Sequence, residues 1–338
     1  MALVGNDVLK PLLDTMGRPL RELRLSVLDR CNLRCTYCMP EESLQGRGIF
    51  LRPHYLLSDG EIELLVRVFA RLGVRKLRLT GGEPMLRPGF VELVGRLAGV
   101  DGIEDLAMTT NGILLPRHAA ALHKAGLGRI TISLDSLDDV VFKAMAGGRG
   151  SVGEVMDGIR AAEDAGFGPM KINTVVQRGV NDHTVLDLVR YFRATPHTVR
   201  LIEFMDVGNV NHWTREMVVP SAELLKAVHD QWPLRPVEKQ PLGETARRYA
   251  FEDGAGEVGF ISSITEPFCG DCTRARITAE GLFYTCLFSA DGAVLRDRMR
   301  EGLGEDALVE IVREIWSQRT DRYSEQRSHL PQRRPHIE

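Results

Sequence analysis

The sequence predicts an α/β protein built as a partial, open βα barrel of the TIM-like kind, about six units long, with a C-terminal extension. Three observations predict it. Short β-prone runs recur between residues 22 and 205. Helix-patterned stretches separate most of them. Polar motifs follow the first four of these runs directly, at their carboxyl ends.

The runs lie at 23–28, 76–80, 103–109, 129–134, 171–177 and 199–204. Residues 59–72 place Ile62, Leu65, Val66 and Phe69 at the spacing of one helix face. Ser58 with Glu61 three residues on is a capping-box pattern. Stretches 117–125, 153–165 and 184–193 read as helices in the same way, and Gly73, Gly126 and Gly166 stand where a left-handed C-terminal cap is wanted. Six βα units in a row imply a parallel sheet, short of the eight strands that close a full barrel. A doubly wound sheet gives the same rhythm; the partial barrel is the expectation. After Phe204 the rhythm fails. Residues 206–300 read as loops, short strands and one hairpin, 305–318 as a helix, and 319–338 as polar and irregular. The expected division is therefore 1–205 and 206–338.

The chain has 338 residues, 43% hydrophobic and 26% charged, enough for a sizeable core. Net charge is −3 without a long single-sign block, which argues against broad nucleic-acid or membrane-surface binding. No apolar run approaches the ~20 residues of a membrane span, and residues 1–13 lack a signal-peptide stretch. A cytoplasmic protein is expected. No Gly-x4-Gly-Lys-Ser/Thr occurs, so ordinary P-loop nucleotide hydrolysis is not expected. Gly254-Ala-Gly-Glu-Val-Gly259 fits a dinucleotide fingerprint but precedes a strand pattern, and a hairpin turn at Asp253-Gly254 explains it better.

The cysteines carry the chemistry. All six fall into two triplets, Cys31, Cys35, Cys38 and Cys269, Cys272, Cys286. Such clusters in a reducing compartment point to metal or redox chemistry. Iron–sulfur clusters usually take four thiolates, so three leave one iron open to a small molecule. Zinc is the alternative, more so for Cys269-Gly-Asp-Cys272, but it wants a fourth ligand that neither triplet supplies. Gly81-Gly-Glu-Pro84, Thr109-Thr-Asn-Gly112 and Ser133-Leu-Asp135 follow the second, third and fourth strands. Each alone could be a capped turn. With the first triplet they converge on the face where parallel βα proteins carry active sites. Arg274 and Arg276 point to one side of a strand and can clasp phosphate oxygens. Arg24 and Arg78 sit inside predicted strands, where a buried charge wants a partner.

Cys-x3-Cys-x2-Cys after a first strand, with Tyr37 before the third cysteine, resembles the radical S-adenosylmethionine superfamily. Segments 23–40, 78–84, 109–112, 133–135, 202–208, 268–276 and 321–324 make the match closer. They resemble the GTP 3′,8-cyclase family of molybdenum-cofactor biosynthesis. That likeness implies two [4Fe–4S] clusters and S-adenosylmethionine as cofactors. Cys31, Cys35 and Cys38 would hold the cluster that cleaves the cofactor. Tyr37, Gly82, Ser133 and Met205 would line the cofactor site, with Arg200 also in reach. Cys269, Cys272 and Cys286 would hold an auxiliary cluster whose open iron meets guanine. Arg24, Arg78, Thr109, Lys171, Arg274, Ala275 and Arg276 would bind GTP, and Arg274 and Arg276 would also assist catalysis.

The implied reaction removes the C3′ hydrogen of the GTP ribose with a 5′-deoxyadenosyl radical and bonds C3′ to C8 of guanine. Implied partners are an electron donor and a downstream enzyme that forms the cyclic pyranopterin; a homodimer is compatible with the likeness. One departure stands out: the resemblance implies a Gly-Gly tail, and residues 333–338 carry none. Two rival readings are a peptide-modifying radical S-adenosylmethionine enzyme and a zinc-stabilised binding module without catalysis.

Overall fold

The computed structural model describes residues 11–39, 50–207, 211–238 and 243–327. Pro40, Gly208 and residues 333–338, named above, lie outside the described residues.

Six strands follow one another in the sheet in chain order: β1 (Glu22–Ser26), β2 (Lys76–Thr80), β3 (Asp105–Thr110), β4 (Arg129–Ser133), β5 (Lys171–Val176) and β6 (Thr198–Glu203). Every neighbouring pair is parallel. The helices between them are α1 (Asp59–Arg71), α2 (Phe90–Ala98), α3 (Leu115–Lys124), α4 (Asp139–Met145), α5 (Val152–Asp164) and α6 (Val185–Phe192). An order that never reverses, with right-handed crossovers, puts all helices on one face. Accordingly α1 packs on α2, α2 on α3 and α3 on α5. A doubly wound sheet would reverse its order once, so the partial barrel is the arrangement found.

The strands alternate. Leu23, Leu25, Leu77, Leu79, Leu106, Met108, Ile130, Ile132, Ile172, Val199 and Leu201 face the helices and are buried. Arg24, Arg78, Thr109, Thr131, Lys171, Asn173 and Arg200 occupy the intervening positions. Parallel strands covered on both faces by apolar layers read as continuous hydrophobic runs. Alternation here means that the second face lines a polar interior.

Local signals match their structures. Ser58 accepts from the Glu61 N–H at 3.3 Å while the Glu61 carboxylate takes the Ser58 N–H at 2.7 Å, closing the capping box of α1. Gly73, Gly126 and Gly166 adopt left-handed φ of 104°, 98° and 93° after α1, α3 and α5. Residues 253–254 turn the antiparallel hairpin of β8 (Arg247–Phe251) and β9 (Glu257–Ile261).

The C-terminal half holds more order than its sequence pattern suggests. It contributes α7 (Ser221–Gln231), β7 (Leu234–Pro236), β10 (Arg274–Ile277), β11 (Leu282–Tyr284), β12 (Ala293–Val294), α8 (Leu295–Arg300), α9 (Glu305–Ser317) and α10 (Tyr323–Gln326). β9 joins β6 in parallel, and β10 joins β1 in parallel. Both edges of the six-stranded sheet are thereby extended, giving eight successive parallel strands, β10-β1-β2-β3-β4-β5-β6-β9, flanked by antiparallel β11-β12 and β8-β7. Strands of two to four residues, such as β7, β10, β11 and β12, carry too little periodicity to fix their bounds; pairing with a finished edge is what makes them strands.

Candidate active site

The loop after β1 carries the first triplet and is packed tightly on the turn after β2. The Gly82 N–H donates to the Leu28 carbonyl at 2.8 Å and the Glu83 N–H to the Arg30 carbonyl at 2.7 Å. A Cβ on Gly81 would be driven into the Leu28 carbonyl, and one on Gly82 into the Arg30 carbonyl. Both glycines therefore serve a close approach of backbone to backbone that seats Cys31. The Glu83 carboxylate is buried and accepts from Thr110 Oγ1 at 2.8 Å and the Asn111 N–H at 3.0 Å. Burial still pushes it up to about 7. Asn111 Nδ2 donates to Asn32 Oδ1 at 2.7 Å and lies 3.8 Å from Cys31 Sγ.

The turn after β4 closes the other side. Tyr37 Oη donates to Asp135 Oδ2 at 2.8 Å, and Asp135 Oδ1 accepts from the Val175 N–H at 2.9 Å. Burial pushes Asp135 up to about 6 despite these donors. Asn211 Nδ2 ties the Tyr37 carbonyl at 3.1 Å to the Met205 carbonyl at 2.9 Å, joining the cysteine loop to the segment after β6. Burial raises the thiols of Cys31, Cys35 and Cys38, the last to about 11. Three thiols that resist ionisation on their own, Cys38 exposed and the other two half-buried, suit a cationic metal centre, which makes thiolates of them.

The second triplet lines a chamber inside the sheet together with Arg24, Arg200, Met205, Arg274 and Arg276. Register explains the convergence. Arg24 pairs with Arg276 across β1 and β10 and with Arg78 across β1 and β2, while Glu22 faces Arg274. Arg24 Nε donates to Glu22 at 3.2 Å, and Arg78 lies 3.7 Å from the same carboxylate. Arg78 Nη1 donates to Thr131 Oγ1 at 3.1 Å and to Thr109 Oγ1 at 3.4 Å. Burial raises Glu22, and Arg24, Arg78 and Arg274 more than offset it, leaving it at about 2. For Arg78, Arg200 and Lys171 burial acts first and repulsion from neighbouring cations adds to it, whereas burial of Arg274 is outweighed by Cys272 and Glu22, which raise it. Arg78 falls to about 10 and Arg200, beside Arg78 and Arg24, to about 9. Lys171, beside Arg200, falls to about 8. Nε of Arg78 and of Arg200 and Oδ1 of Asn173 are buried without a hydrogen-bond partner.

Cys272 differs from the other thiols. Burial raises it, but the guanidiniums of Arg274 and Arg319 overcome that and leave it at about 6. Cys286 is pushed up by burial to about 11. Each triplet offers sulfur alone as donor. Among the described residues no three His, Cys, Asp or Glu side chains close around a single-ion position. A cubane gives each thiolate its own iron, and both donor sets fit that group.

The family model for the radical S-adenosylmethionine superfamily matches residues 25–192, and that for "Molybdenum Cofactor Synthesis C" matches 197–325. A GTP 3′,8-cyclase of Xanthomonas campestris pv. campestris (strain B100) is 53% identical over 328 residues, covering 97% of this chain and 96% of that one. The chain belongs to the GTP 3′,8-cyclase family. Another GTP 3′,8-cyclase, from Acidothermus cellulolyticus (strain ATCC 43068 / DSM 8971 / 11B), is 47% identical, covering 94% of this chain and 89% of its own. Among solved structures, Streptococcus suis SuiB bound to S-adenosylmethionine superposes with a TM-score of 0.59 at 15% identity, over 88% of this chain and 68% of that one. At that identity the likeness concerns the fold. Membership of the GTP 3′,8-cyclase family makes the chain a radical S-adenosylmethionine enzyme, the class that works with that cofactor and [4Fe–4S] clusters.

Of the residues singled out from sequence, Arg24, Arg200, Met205, Arg274, Arg276 and the second triplet share the chamber. Arg78, Thr109 and Lys171 adjoin it through Arg24 and Arg200. Tyr37, Gly82 and Ser133 lie at the strand ends around the first triplet. Ala275 points the other way, into the apolar core, so only its backbone can face the chamber. His229, the nearest histidine upstream of the second triplet, is on the surface, where its Nδ1 accepts from the Leu234 N–H at 3.0 Å. Sequence reading missed Glu22, Asn173, Asn211 and Arg319. Glu22 had a signal, since it is two residues before Arg24 on the same strand face. Asn211 and Arg319 had none, because their partners are distant in sequence.

Proposed function

We propose that the chain converts GTP to (8S)-3′,8-cyclo-7,8-dihydroguanosine 5′-triphosphate, an early step of molybdenum-cofactor biosynthesis. The observation that carries this reading is the cation array. Arg24, Arg78 and Arg274 surround Glu22, with Arg276 beside Arg24 and Lys171 near Arg78 and Arg200, and burial plus repulsion makes several of them easier to neutralise. A triphosphate reverses that cost without a P-loop. Charge-assisted bonds to it contribute roughly 1.5–3 kcal/mol each.

Cys31, Cys35 and Cys38 would hold one [4Fe–4S] cluster, and Tyr37, Gly82, Ser133 and Met205, with Arg200, the adenosylmethionine beside it. Cys269, Cys272 and Cys286 would hold the other, with an open corner for the guanine. When bound, cofactor and cluster supply one-electron chemistry that removes a hydrogen atom from the substrate. The chain's own work is orientation and exclusion of water. The Arg array fixes the triphosphate, with Thr109 and the Ala275 backbone beside it, so that ribose C3′ and guanine C8 meet in one geometry. Residues 1–205 would form the radical half and 206–338 the half that anchors substrate. A reductant and an enzyme that consumes the cyclised triphosphate complete the set of partners. Among the described residues no helix is long and apolar enough to cross a membrane.

The deciding experiment is anaerobic turnover of the reconstituted enzyme with GTP deuterated at C3′. Deuterium should appear in 5′-deoxyadenosine, at about eight irons per chain. Release of 5′-deoxyadenosine with peptides and not with GTP would overturn the substrate. About two zinc ions in place of iron would overturn the chemistry.

A further inference from the structure

All three segments that carry the second triplet are tied to one ion network, whose Arg18, Arg319 and Asp321 form part of the chamber wall. Asp14, with a side chain 0% exposed, takes Arg18 Nε at 2.5 Å and Arg319 Nη1 at 3.4 Å. Its Oδ1 accepts from the Met16 and Arg18 N–H groups, each at 2.9 Å. Arg18 Nη1 donates to the Cys269 carbonyl at 2.8 Å and the Asp321 carbonyl at 2.7 Å. Thr285, next to Cys286, donates to Asp321 Oδ2 at 2.5 Å. The Arg319 guanidinium carbon sits over the Trp316 ring, 4.5 Å from its centroid. Its Nη1 donates to the Cys272 carbonyl at 2.8 Å and its Nη2 to Cys272 Sγ at 3.3 Å.

Two guanidiniums against Asp14 and Asp321 make the network neutral by itself, which is the condition for burying it. One N–H of it is aimed at a sulfur. Outer donors of this kind orient metal ligands and shift cluster potentials, because a reduced cluster carries one more negative charge and gains more from the donor. Asp14 and Arg18 precede both matched family ranges.

We infer that Arg319, locked by Asp14 and Trp316, is the positioning residue of the auxiliary cluster: it fixes the Cys272 ligand and raises the cluster's reduction potential through its bond to that sulfur. The inference rests on the second triplet holding a cluster, as proposed above.

The test uses the full chain with Cys31, Cys35 and Cys38 changed to Ala, so that one cluster remains. Iron content is measured first, then the cluster is titrated anaerobically with dithionite and followed by electron paramagnetic resonance. With about four irons per chain, Arg319→Gln should lower the reduced-to-oxidised ratio about tenfold at a fixed potential, ~59 mV for one electron. Arg319→Lys, which keeps the charge, should lower it about threefold or less. An unchanged ratio in Arg319→Gln at full iron overturns the inference. If Arg319→Gln loses iron, restoration by Arg319→Lys supports the inference and equal loss in both overturns it. A parent that binds no iron refutes instead the placement of a cluster at the second triplet.

Discussion

Glu22 stands at the centre of the cation array, and its acidity is measurable. Its folded value of about 2 lies below its ordinary 4.5, so the unfolded chain binds its proton first as pH falls. The stabilisation is therefore complete above about 4.5 and is lost as pH drops towards 2, on the order of 3 kcal/mol in all. Glu22→Gln should flatten the pH dependence of urea midpoints of the apo chain over that interval; parallel curves for variant and parent would reject the pairing. The two triplets differ at the same scale. Cys269→Ser should leave adenosylmethionine binding within about twofold and abolish cyclisation, because in the proposed function the second site anchors substrate. Isothermal titration and product chromatography check the two halves, and normal product formation would refute the anchoring role. Residue types were legible here: the cysteine spacing, the Arg pair and the buried Arg24 and Arg78 could all be read from the chain. Arg319 could not, since its partner Asp14 lies 305 residues away.

At the scale of elements, close backbone contact decides the first site. Gly158, inside α5, lies against the Gly112 carbonyl, and a Cβ there would be driven into it. Gly112 follows Asn111, which touches the Cys31 loop. Gly158→Ala should therefore destabilise the fold by about 1–3 kcal/mol and lower iron retention at the first triplet more than at the second. Thermal melts and iron counts in single-triplet backgrounds check this; equal losses at both triplets would reject the coupling. The capping box of α1 and the glycines that end α1, α3 and α5 were readable because they are local. The close approach of α5 was not, because a glycine within a helix carries no sign of what it packs against. α8 and α10 also escaped, since each is too short to show a period; short strands and a hairpin were expected in the C-terminal half, but not the sheet edges they join.

At the scale of the whole molecule, the two halves complete one sheet. Without β10 and β9 the outer edges of β1 and β6 are left unpaired, and Phe69 on α1 loses its edge-to-face contact with Phe283, 5.3 Å between centroids. Open parallel edges invite aggregation. Residues 1–205 expressed alone should therefore be insoluble or polydisperse in size-exclusion chromatography; a monodisperse monomer would show that the barrel half stands by itself.

What the chain determined by itself was whatever depends on neighbours in sequence. The βα rhythm, the alternation that makes one sheet face polar, the spacing of each cysteine triplet and the caps are all of that kind. They sufficed for the fold class and the type of chemistry. The tertiary structure decided what depends on chain segments far apart: β10 lying beside β1 so that Arg24 meets Arg276, Asn211 joining the two sides of the first loop, and Asp14 reaching Arg319. Such pairings are set by which strand edge is free and by what a buried charge must have beside it, and neither is written in any local window of sequence.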